Sequence, residues 1–102
     1  MYEYRNPYIL NFTNIQYYSD VHLIIKEALD FPDYYGENWD AFWDCLTDMI
    51  GRPIQIKIYG LNVLDKKFPG ESEYLLRILE RLRHWHNDKY LHEITIEIMQ
   101  DE

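Results

Sequence analysis

Cysteine occurs once in this chain, at position 45, which excludes an internal disulfide and gives no sign of an oxidising compartment. Basic side chains are scarce: 10 Lys and Arg stand against 18 Asp and Glu, for a formal net charge of −8. That balance argues against direct binding of a nucleic-acid backbone and favours a basic partner, although net charge also serves solubility. No apolar run approaches the roughly 18 residues of a membrane span. The opening Met1-Tyr2-Glu3-Tyr4-Arg5-Asn6-Pro7 lacks the charged-then-apolar pattern of a signal peptide. The cytoplasm is therefore the expected compartment. A glycine-rich phosphate loop, a metalloprotease His-Glu-x-x-His and a serine elbow are also absent, as are internal repeats and low-complexity tracts. With 102 residues the chain is expected to form one domain over 1–102, large enough to bury a core unaided, with 1–7 as a loosely ordered leader.

What the chain has in abundance is aromatic rings, 17% of residues with ten tyrosines. They concentrate around Tyr34-Tyr35-Gly36-Glu37-Asn38-Trp39-Asp40-Ala41-Phe42-Trp43-Asp44-Cys45-Leu46-Thr47. On a helix, Phe42, Cys45, Leu46 and Met49 fall at i, i+3, i+4 and i+7, the stripe a globular helix buries. Asp40, Asp44 and Thr47 then point away from the core, with Trp39 and Trp43 on one flank, partly turned to solvent. Like charges at i and i+4 repel by roughly 0.2–0.5 kcal/mol, so folding alone does not favour this arrangement. Aromatic anchors around acidic groups suit docking onto a cationic partner. An ordinary solvated face, with the indoles packed under neighbouring loops, is the competing reading.

The flanking segments organise around this helix. Tyr8-Ile9-Leu10-Asn11-Phe12 reads as a strand. Ser19 or Asp20 can cap a helix with apolar positions Val21, Ile24, Ile25, Ala28 and Leu29, which Pro32 ends. In the following loop Gly36 can take a positive φ, Glu37 or Asn38 can cap the central helix, and one of Tyr34 and Tyr35 is expected to pack inward. Gly51-Arg52-Pro53 is a stop signal. Ile54, Ile56 and Ile58, and again Ile94, Ile96 and Ile98, alternate with other residues as strands with one buried face do. Helical segments between strands imply parallel pairing, and the alternation implies helices massed on one side of the sheet. Leu61–Lys67 reads as a short helix and Phe68-Pro69-Gly70 as its break. A long helix follows from Glu71 or Ser72, burying Leu75, Ile78, Leu79 and Leu82, with Trp85 and His86 at the end of that stripe, and turning Arg77, Glu80, Arg81 and His84 outward. The tail 100–102 is expected to fray.

Other chemistry fares poorly. His84 and His86 point to different helix faces and make a poor metal pair, and Cys45 reads as a buried small hydrophobe. Asp40 and Asp44 on a convex helix lack the cleft that paired acid–base work needs, and with Asp48 they do not enclose an ion. No catalytic residue, metal site or cofactor is expected.

The run Phe31-Pro32-Asp33-Tyr34-Tyr35-Gly36-Glu37-Asn38-Trp39-Asp40-Ala41-Phe42-Trp43-Asp44-Cys45-Leu46-Thr47 resembles the signature of the barstar family, small bacterial intracellular inhibitors of secreted ribonucleases, and Ser19-Asp20-Val21-His22 resembles the start of that family's first helix. Together with the periodicities, the resemblance implies an α/β fold: a single barstar-like domain with a small three-stranded parallel sheet packed with about four helices. It implies an immunity protein, not an enzyme, that binds a cytotoxic ribonuclease or RNase toxin domain one-to-one as a monomer, without direct nucleic-acid or membrane contact. By the same resemblance the partner-binding residues are Tyr34, Asn38, Trp39, Asp40, Trp43, Asp44 and Thr47. Asp44 takes the phosphate position of the enzyme, and Glu80 stands as a supporting carboxylate unless the long helix is shifted by one residue, which puts Arg81 there. Trp39 and Phe42 depart from the usual aliphatic residues, and a second family cysteine is missing near Leu91. The alternative function is an acidic, aromatic module that binds a basic peptide or self-associates.

Overall fold

The computed structural model describes residues 7–48, 54–89 and 94–99, the side chains of 85–89 excepted. Its order is β1 (Tyr8–Asn11), α1 (Asp20–Ala28), α2 (Trp39–Thr47), β2 (Ile54–Tyr59), α3 (Leu61–Lys67), α4 (Glu71–Lys89) and β3 (Ile94–Ile98). The three strands form a parallel sheet in the order β1-β2-β3. This is the α/β architecture expected above.

Register explains why these strands alternate. Tyr8 pairs with Ile56 and Ile56 with Ile96, while Ile54 pairs with Ile94 and Leu10 with Ile58. Side chains in one register row share a face, so Tyr8, Leu10, Ile54, Ile56, Ile58 and Ile94 all turn inward and are buried. The opposite face holds Ile9, Lys57 and Glu97 in one row, with Ile9 and Glu97 exposed. Helix residues Val21, Ile25, Phe42, Leu46, Leu64, Leu75, Leu79 and Leu82 complete the core on the inner side. A parallel sheet that no helix among the described residues covers on its second face need not be apolar throughout, and the alternating sequence is the consequence.

Two local expectations are corrected. Gly36 does not carry the positive φ of the binding loop; Glu37 does, at φ 52, and feeds an extended Asn38 at φ −145 and ψ 170. Neither Ser19 nor Asp20 caps α1 with its side chain: the Asp20 carboxylate instead accepts the N–H groups of Tyr17 and Gln16 in the preceding turn. The long helix α4 starts at Glu71, one of the two starts expected, and the Ser72 hydroxyl inside it donates to Asp65 at 2.8 Å, tying that helix to α3. Gly60 takes φ +71 between β2 and α3, where a Cβ would also run into the Thr13 backbone. The expected features at 1–6, Met49, Gly51-Arg52-Pro53, Leu91 and 100–102 lie outside the described residues, as do the Trp85 and His86 side chains.

Candidate functional site

The loop before α2 is built from the inside out. Phe31 is buried, and the Tyr35 N–H donates to the Pro32 carbonyl at 2.9 Å, closing a turn. That turn sends Tyr35 into the core at 4% exposure and leaves Tyr34 outside at 79%. The Tyr35 ring lies 5.1 Å from Phe31, and its hydroxyl sits 2.6 Å from Nδ1 of His22, itself buried on α1. Burial pushes the His22 imidazole below its ordinary value, partly opposed by Glu71 and Glu37. Burial likewise pushes the Tyr35 phenol up, with Cys45 and Glu37 adding to it. The pair is therefore neutral and hydrogen-bonded, which is what makes its burial tolerable.

Asn38 then starts α2. Its side-chain oxygen accepts the Ala41 N–H at 2.8 Å, satisfying one of the free donors of the first turn. Its own amide donates to the Gly36 carbonyl at 3.1 Å. Phe42, Cys45 and Leu46 enter the core, and burial raises the Cys45 thiol, with Asp48 and Asp44 adding to it, so it stays protonated and inert.

Asp40 and Asp44 are exposed on the opposite face, and neither carboxylate has an ion pair or hydrogen bond among the described residues. Thr47, half-buried, donates from its hydroxyl to the Asp44 carbonyl at 2.8 Å. Trp39 and Trp43 are half-buried on the flank of this face. Trp39 meets the His22 ring edge-on at 4.6 Å, Phe42 at 5.6 Å, and stacks on Tyr74 of α4 at 6.3 Å and 14°. Its indole N–H is buried without an acceptor among the described residues. Over Trp43 lies the Arg81 guanidinium, 4.2 Å from the ring centroid.

The structure thus brings together Tyr34, Asn38, Trp39, Asp40, Trp43, Asp44 and Thr47, all on the loop and helix they were expected to occupy. Glu80 stands apart. It bonds Arg83 and lies 3.3 Å from His84, and it lines a groove with Leu61, Leu76, Ile96 and Ile98 on the side of α4 turned from the Trp43 contact. The α4 residues that reach the α2 indoles are Tyr74 and Arg81. Tyr74 and buried His22 escaped the sequence reading. A signal for Tyr74 existed, since it lies two helical turns from Arg81 and so shares its edge.

Two exposed carboxylates with aromatic shoulders can make charge-assisted hydrogen bonds to cationic groups of another molecule. Among the described residues no cluster of His, Cys, Asp or Glu is placed to hold a metal, and no helix is long and apolar enough to cross a membrane. The family model described as Barstar (barnase inhibitor) matches residues 6–98. A Bacillus subtilis (strain 168) protein named "Putative ribonuclease inhibitor YrdF" is 30% identical over 80 residues, which cover 78% of this chain and 85% of that protein.

Proposed function

The chain belongs to the barstar family, and from that premise we propose that it is an immunity protein that inhibits a basic ribonuclease by seating the acidic face of α2 in the enzyme's active site. An RNA-cleaving site must hold phosphate with Arg, Lys or His. A carboxylate delivered there occupies the phosphate position and excludes substrate, with no chemistry performed. Asp44 is the residue for that role, with Asp40 one turn earlier as a second acidic contact. Tyr34, Asn38, Trp39, Trp43 and Thr47 form the rim that positions them, and Glu80 falls outside this footprint. The protein acts in the cytoplasm of the producing cell as a monomer, one copy per target.

The observation that carries the proposal is the pairing of two exposed carboxylates, without ion pair or hydrogen bond among the described residues, with two indoles held half-buried beside them. Barnase, the enzyme in the family's description, is the probe. RNA cleavage by barnase should be inhibited by the wild-type chain, and Asp44→Ala should weaken that inhibition by about tenfold or more, the loss of a charged hydrogen bond. Equal inhibition by both proteins would remove Asp44 from the role. Lack of inhibition by either would turn the reading toward a module for basic peptides.

A further inference from the structure

Resting on that reading, we infer that Arg81 is a specificity-determining contact of the same face, held on Trp43 to receive an acidic side chain of the partner. Of the described arginines on α4, Arg77 is paired with Glu73 and Arg83 with Glu80. Arg81 has no carboxylate among the described residues, in a chain with 18 acidic side chains. Its guanidinium lies over an indole instead, 4.2 Å from the ring centroid. A contact with the ring consumes none of the five N–H donors, which stay able to grip a carboxylate with two hydrogen bonds. The cation is thus held beside α2 before any partner arrives, so less side-chain freedom is lost on binding.

Trp43 joins the two charges, because it stands on α2 beside Asp44 and one turn from Asp40 while carrying Arg81 on its ring. The surface therefore presents opposite charges side by side, carboxylates from α2 and a guanidinium from α4. Two turns earlier on the same edge of α4, exposed Tyr74 stacks on Trp39, so α4 borders the flank along both indoles. A complementary partner has a basic cleft with an acidic side chain at its margin. A polyphosphate strand does not fit, because Asp40 and Asp44 repel it where Arg81 would attract it. Juxtaposed opposite charges also reject a uniformly basic surface, which would meet Arg81 with like charge.

The test is the affinity for barnase of the wild-type chain and of Asp44→Ala, Arg81→Ala, Arg81→Lys and Arg81→Glu, each checked for unchanged thermal unfolding. Arg81→Ala should weaken binding by about threefold to tenfold, Arg81→Glu should weaken it more, and Arg81→Lys should fall between wild type and Arg81→Ala, since it keeps the charge and loses the fork. Alanine substitution of acidic residues in barnase should identify one whose loss no longer matters once Arg81 is Ala. Arg81→Ala binding as tightly as wild type or tighter, while Asp44→Ala binds weakly, overturns the inference and leaves the inhibitor reading standing. If the wild-type chain does not bind barnase at all, both fall together.

Discussion

Tyr34 and Tyr35 are adjacent and chemically identical, yet only Tyr35 enters the core, because its hydroxyl finds His22 Nδ1 at 2.6 Å. A buried phenol needs such a partner, and Tyr34 has none on offer. Tyr35→Phe leaves the His22 nitrogen buried and unsatisfied, so denaturant unfolding should show a loss of about 1–3 kcal/mol. The same histidine sets a pH dependence. Its folded-state value lies below the ordinary 6.5, so the unfolded chain binds a proton that the folded chain refuses. His22 therefore contributes its full stability above 6.5 and loses it as pH falls toward the folded-state value. Urea unfolding from pH 7 downward should show that decline in the wild type and a shallower one in His22→Gln. Equal slopes would mean that the buried imidazole does not govern this window. The inward choice between the two tyrosines was foreseeable as a choice, but not which ring would take it, because the deciding partner lies on another helix.

At the scale of an element, α2 is only nine residues long and would be marginal alone, given the cost of helix nucleation. It persists because Asn38 caps it, Asp40 in its first turn meets the positive end of the helix dipole, and Phe42, Cys45 and Leu46 are buried. Asn38→Ala should cost about 1 kcal/mol. For a chain of this size that is a drop of about 4–8 °C in melting temperature, measurable by circular dichroism. A melting temperature unchanged from wild type would show that packing alone holds the helix. Asn38 was legible as one of two possible caps, since its residue type favours the position. The left-handed residue was not: Gly36 is the cheaper bearer, but the extended Asn38 requires the turn one residue later, at Glu37.

Over the whole molecule, a net charge of −8 draws a cationic partner before contact. The association rate with barnase should fall by about tenfold or more between 50 mM and 500 mM salt, because screening shortens the reach of the field. Stopped-flow mixing measures this, and a rate indifferent to salt would count against steering by the acidic face. The outer sheet face adds little to that attraction, since Lys57 and Glu97 stand in one register row there.

The chain's own periodicities determined the elements, their order, the core stripe of α2 and the outward turn of Asp40 and Asp44. These follow from repeats of two or 3.6 residues, which depend only on neighbours along the chain. Tertiary packing decided which edge of α4 meets α2, setting Tyr74 and Arg81 against the indoles and turning Glu80 toward a groove. One residue moves a side chain about 100° around a helix axis, so that outcome depends on how two helices are rotated against each other. Such rotation is set by interlocking side chains from distant parts of the chain, and no local repeat encodes it.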